Sequence, residues 1–217
     1  MTPAGTYNPF TVVLATHNPH KVKEILAIFG DSPIQFVTLE SFPGAPDVVE
    51  DGQTLEGVVL RALAAQDGAL AMVETYTGGQ IAARIAHLPG AEKVFRRGLV
   101  ARDPAEIAAA LGLDGALIAG ELSRETAEAV AAAVRKETGA SHALAVLIEV
   151  DDGPDRIDFG GSIHLAITDG ERIESRRSRI YGGRDWVRLG AVELGLDCLR
   201  RYLQGLPVTE RTDFERS

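Results

Sequence analysis

Glu74-Thr75-Tyr76-Thr77-Gly78-Gly79 gathers a carboxyl, two threonine hydroxyls and a glycine pair in one short stretch, residue types that can hold a nucleophile beside an anion site. Glycines let a phosphate or carboxylate come close to the backbone. The first amides of a following helix have no internal partners, and its dipole presents a positive end to the same place. An equally simple reading has Thr77 cap the helix while Gly78 and Gly79 make the turn. Thr16, Asn18 and Lys21 form a second cluster of polar groups suited to phosphate.

Each cluster sits where a strand hands over to a helix. Ala71-Met72-Val73 enters the first, and Gln80-Ile81-Ala82-Ala83-Arg84-Ile85-Ala86 leaves it with helical spacing. For the second, residues 12–15 read as a buried strand. Residues 20–29 place Val22, Ile25, Leu26 and Phe29 on one helical face, Gly30 stops that helix, and a strand follows at 34–39. Residues 54–65 are helix-like, and residues 125–137 carry Ala127, Val130, Ala131 and Val134 on one packing stripe. Strands alternating with helices predict an α/β fold, a layered sheet with flanking helices.

Composition excludes several classes. The chain has 217 residues, 45% hydrophobic and 24% charged, with a net charge of -9. That balance disfavours a duplex-binding face, so no nucleic-acid partner is expected. The dense basic run, Arg176-Arg177-Ser178-Arg179, reads as one solvated strand face. The single cysteine, Cys198, rules out an intrachain disulfide, fits a reducing compartment and reads as a core residue among Leu194, Leu196 and Leu199. No apolar run has membrane length and residues 1–10 lack a signal-peptide pattern, so no membrane partner and a cytoplasmic location are expected. His17 and His20 lack a companion ligand set, and His87, His142 and His164 read as isolated surface or packing residues. Residues 1–10 are expected to form a loose leader and residues 206–217 a frayed polar tail.

Leu14-Ala15-Thr16-His17-Asn18-Pro19-His20-Lys21-Val22-Lys23-Glu24, followed by Val49-Glu50-Asp51-Gly52-Gln53-Thr54-Leu55, resembles the opening of the inosine-triphosphatase-like purine NTP pyrophosphatase family. The resemblance implies that Thr16, Asn18 and Lys21 hold a triphosphate and that Glu50 helps bind Mg²⁺. The later Asp-Asp-Ser-Gly, Phe-Gly-Tyr-Asp and Ser-His-Arg segments of that family are absent, which leaves Glu74 as a stand-in for a metal-binding aspartate.

From Gly68 onward the chain resembles the CinA C-terminal domain, the nicotinamide-nucleotide amidase family. The resemblance starts at Gly68-Ala69-Leu70-Ala71-Met72-Val73-Glu74-Thr75-Tyr76-Thr77-Gly78-Gly79 and runs on in order. It passes through Leu88-Pro89-Gly90-Ala91, Phe95-Arg96-Arg97-Gly98-Leu99-Val100, Gly120-Glu121-Leu122-Ser123 and Gly161-Ser162-Ile163-His164 to Gly183-Arg184-Asp185-Trp186-Val187-Arg188. The family's serine nucleophile is Thr75 here, and its cysteine is Tyr76. The lysine proposed to activate that serine falls at Ile107, and carboxylates Glu149, Asp151 and Asp152 enter a loop that is small and neutral in the family. Arg184 and Arg188 keep their places and could clamp a phosphate.

These readings give a strand–helix–strand unit over 1–57, a CinA-like domain over 58–205 and a tail over 206–217. Three functions follow. The first is a nucleotide-binding protein whose serine–lysine chemistry is lost. The second is an amidase acting on nicotinamide mononucleotide through Thr75, with Glu74 or Asp103 as base. The third is a Mg²⁺-dependent NTP pyrophosphatase, the one reading that implies a metal cofactor. The expected partner is a small-molecule nucleotide, and the CinA resemblance implies a homodimer.

Overall fold

The computed structural model describes residues 10–14, 19–29, 34–42, 54–118, 120–151 and 160–209. The chain divides into two compact units, Met1–Gly52 and Gln53–Ser217. Thr54 is the N-cap of helix α2 (Leu55–Ala64), its hydroxyl accepting the Gly57 amide at 3.3 Å.

The first unit is the anticipated β1 (Thr11–Leu14), α1 (Pro19–Phe29) and β2 (Gln35–Thr38). The strands pair in parallel, from Thr11 opposite Gln35 to Leu14 opposite Thr38, as a helical crossover requires. Phe29 of the helix meets Phe36 of β2 with ring centroids 6.1 Å apart. Among the unit's described residues Leu14 is the one buried hydrophobic, while Val12, Val13, Leu26, Ile28 and Phe29 are exposed, so β1 is not the buried strand expected over 12–15.

The second unit continues with β3 (Leu70–Glu74), α3 (Gln80–Ala86), α4 (Ala91–Val94), β4 (Phe95–Val100), α5 (Pro104–Leu111), α6 (Arg124–Thr138), β5 (His142–Val150), β6 (Gly160–Thr168), β7 (Ile173–Tyr181) and α7 (Arg184–Leu203). Its five-stranded sheet has the order β4-β3-β5-β6-β7. β4, β3 and β5 are parallel, while β6 and β7 add as antiparallel hairpin partners. Period-two alternation feeds two cores. Leu70, Met72, Leu144, Val146 and Ile148 pack with residues of α2, α3 and α7, whereas Ala71, Val73, Ala143, Ala145 and Leu147 pack with residues of α5 and α6. Small side chains dominate the α6 side of the sheet, and Ala127 and Ala131 meet them there, both fully buried. Arg84 ties the helices of the opposite layer together by pairing with Glu56 of α2 at 2.8 Å and with Glu193 of α7.

Two further expectations are corrected. The run 176–179 is not one solvated face, because alternation along β7 exposes Arg177 and buries Arg176. The Arg176 Nη1 donates to the Val208 carbonyl at 2.7 Å. Val208 is buried too, so the chain past residue 206 packs on the domain rather than fraying there; residues 210–217 lie outside the described part. His142 and His164 are buried, the packing alternative of the two read for them.

Candidate functional site

The turn after β3 keeps the predicted strand-to-helix geometry, but the groups in it serve one another. Gly78 and Gly79 take φ of +66° and +84°, a left-handed conformation that residues with a Cβ rarely adopt. Glu74 ends β3 fully buried. Its Oε2 accepts the Thr77 hydroxyl at 2.6 Å and the Ile81 amide at 3.1 Å, and its Oε1 accepts the Ala82 amide at 2.8 Å. The chain's own carboxyl thus takes amides at the start of α3 that a bound anion would need. The cap is Glu74 and not Thr77, whose hydroxyl is the donor in this set.

Thr75 is 4% exposed, and its Oγ1 accepts the Ile148 amide of β5 at 2.9 Å. Among the described residues no ionisable side chain hydrogen-bonds that hydroxyl. Ile107, where the CinA resemblance implies a lysine, is fully buried in the apolar cluster of Val73, Leu122 and Leu147. Asp103 caps α5, with Oδ1 accepting the Ala105 amide at 2.9 Å. Tyr76, where the CinA resemblance implies a cysteine, carries the Arg102 guanidinium over its ring at 4.1 Å. Thr75→Val keeps the shape and removes the acceptor. It should cost about 1–3 kcal/mol in urea unfolding, since it strands a buried amide, whereas Thr75→Ser should stay close to wild type.

Arg184 and Arg188 open α7. Both belong to the edge of the sheet where β3 ends, because β7 runs in the direction of β3, but three strand spacings, about 14 Å, separate the two strands. Arg184 is exposed, and Arg188 Nη2 pairs with Asp185 at 3.1 Å. Trp186 between them is 68% exposed. Lys21 is an exposed residue of α1, and Thr16, Asn18 and Glu50 lie outside the described residues. The loop carboxylates also find partners: Glu149 Oε1 accepts the Leu122 amide at 2.7 Å, and Asp151 pairs with Arg179.

Sequence reasoning missed the capping role of Glu74 and the Tyr76–Arg102 pair, and left open whether His164 is a surface or a packing residue. The last had a usable cue. His164 lies in a strand whose neighbours are all apolar or small, the pattern of a strand covered on both faces.

A three-layer α/β domain with a strand-to-helix turn bearing Glu, Thr, Thr and two left-handed glycines defines the class. Residues 52–203 match the CinA C-terminal domain family, and the chain belongs to it. Residues 12–84 match the Ham1 family, across the segment that carries the pyrophosphatase resemblance. Among curated relatives, a CinA-like protein of Frankia casuarinae is 38% identical over 73% of this chain and 37% of its own length. One from Geotalea uraniireducens is 30% identical over 91% of this chain and 46% of its own. The chain therefore spans less than half the length of either relative. The CinA superfamily protein of Enterobacter cloacae superposes with a TM-score of 0.61 at 20% identity, covering 73% of this chain and 98% of that one. The competence/damage inducible protein CihA of Agrobacterium tumefaciens gives 0.57 at 24%, covering 69% and 95%. Among the described residues no helix is long and apolar enough to cross a membrane.

Proposed function

We propose that this chain is a CinA-like binding protein for a small nucleotide of the nicotinamide mononucleotide class, with little or no amidase activity. One observation carries the reading: Ile107 lies in a closed apolar cluster where the family's lysine would act, while Thr75 spends its oxygen on the β5 backbone. A hydroxyl without a base stays protonated at neutral pH and is a poor nucleophile. Glu74 and Asp103, the substitute bases, hold helix starts instead. Phosphate recognition falls to Arg184 and Arg188, the latter exchanging its Asp185 contact for the ligand, with two copies of the chain forming a homodimer by analogy with the family.

Trp186 is the sole tryptophan and sits between those arginines, so its emission reports on the site. Titration with nicotinamide mononucleotide should change Trp186 fluorescence saturably. Arg188→Ala should weaken the apparent affinity about tenfold or more, the loss of one charge-assisted contact. Unchanged emission at millimolar nucleotide, with the fold intact by circular dichroism, would remove the binding reading.

The Ham1 family match over 12–84 favours a second reading, a Mg²⁺-dependent NTP pyrophosphatase using Thr16, Asn18, Lys21 and Glu50. Glu74 does not fit the metal role that this reading gave it, because its oxygens are engaged by Thr77, Ile81 and Ala82. The described residues bring together no group of three or more His, Cys, Asp or Glu side chains suited to a metal ion. Pyrophosphate release from inosine triphosphate that disappears in Lys21→Ala would restore this reading.

A further inference from the structure

His164 is an ionisable group that the proposed function does not use. Its side chain is 3% exposed, and neither ring nitrogen has a hydrogen-bond partner among the described residues. Burying an unpaired imidazole is costly, and native proteins rarely do it without a use. Register fixes its surroundings. His164 lies opposite Leu147 of β5 and Arg177 of β7, and one pleat along, Glu149 lies opposite Ser162. Glu149 Oε2 is 3.8 Å from His164 Nε2, just beyond hydrogen-bonding distance, while Oε1 holds the Leu122 amide at 2.7 Å. Leu122 immediately precedes Ser123, whose hydroxyl caps α6 through the Thr126 amide at 3.2 Å. One carboxylate thus stands between a buried imidazole and the segment that starts a helix.

We propose that His164 and Glu149 form a proton-operated latch on residues 120–123: a proton gained by His164 draws Glu149 to the imidazolium and releases the Leu122 amide. The proton comes from solvent to Nε2, and the new contact is a charge-assisted hydrogen bond to Oε2. Leu122 packs in the cluster that holds Ile107, Val73 and Leu147. The latch therefore loosens the cover over the end of the sheet where Thr75 sits.

The charged groups around His164 set the direction of the response. Burial is the largest influence and pushes the imidazole below the ordinary histidine range; Glu149 opposes that shift, Arg177 adds to it, and Glu121 of the latched segment opposes it. On α6, Arg124 and Glu128 are bound to each other and to Ser175, and on β7 Arg179 is bound to Asp151. The folded chain binds this proton less readily than the unfolded chain, so the latch opens on acidification below the usual histidine value. His142, also pushed down mainly by burial, lies opposite Leu70 at the far end of β5. Its protonation also lowers global stability, without acting on Leu122.

Amide hydrogen exchange on the full chain separates the two effects. Between about pH 7.5 and about pH 5, where histidines change charge, protection of residues 120–127 corrected for intrinsic rate should fall at least about tenfold relative to β3 and β5. His164→Phe should abolish this local fall. Glu149→Gln, which keeps an acceptor for the Leu122 amide but loses the charge, should abolish it as well and serves if the phenylalanine variant does not fold. Protection that stays constant to about pH 5, that falls equally in Glu149→Gln, or that falls in step with β3 and β5 would overturn the latch.

Discussion

Incubated with nicotinamide mononucleotide at neutral pH, the chain is expected to release ammonia at least about 10²–10⁴-fold more slowly than a family member with an intact serine–lysine pair, the usual range for losing a positioned base. The expectation follows from Thr75, whose Oγ1 is tied to the Ile148 amide, and from Ile107, a buried hydrocarbon where the CinA resemblance implies a lysine. Thr75→Ala should leave the background rate unchanged, because the hydroxyl is structural. Thr75→Ser alone should not raise it, since serine would meet the same want of a base. Ammonia release comparable to that of an intact enzyme, lost in Thr75→Ala, would refute the inactive reading. It would also mean that an unrecognised group takes the proton. Loss of nucleotide binding would appear separately, in the Trp186 titration.

Glu74→Ala is expected to be the most destabilising single change in the turn. It removes the acceptor of three donors, the Thr77 hydroxyl and the Ile81 and Ala82 amides. It also empties a fully buried site. Unsatisfied buried donors cost about 1–3 kcal/mol each, and partial relaxation brings the sum to about 3–5 kcal/mol. Urea unfolding should show the midpoint fall sharply with little change in slope. Glu74→Gln keeps the shape and one acceptor oxygen, so it should lose roughly half as much. A Glu74→Ala variant within about 1 kcal/mol of wild type would show that the glycine pair and α3 hold the turn without the carboxyl.

The same residue marks how far the sequence could be read. The strand before Glu74 and the helix after Gly79 were legible, because a short apolar run and a helical stripe are local patterns. So were α6, where Ala127, Val130, Ala131 and Val134 are all buried, and the strand–helix–strand order of the first unit. The direction in which Glu74 points was not legible. Its partners lie up to eight residues ahead, across a turn whose geometry depends on two left-handed glycines. Arg176 went astray for a related reason. A basic run looks solvated until the C-terminal segment folds back and presents the Val208 carbonyl to it. His164 and Glu149 are fifteen positions apart and meet through the β5–β6 register, which composition and spacing do not fix.

Among the described residues, the five-stranded sheet has β4 at one edge and β7 at the other. Unpaired strand edges invite other strands to add to them. β4 carries Arg96 and Arg97, both exposed, and β7 carries exposed Arg177 with Arg179 two residues on. Arg97 is paired with Glu137 and Arg179 with Asp151, so both edges carry fixed charge pairs as well as exposed arginines. Charged groups on both edge strands disfavour the addition of further strands, as edge charges do in native sheets.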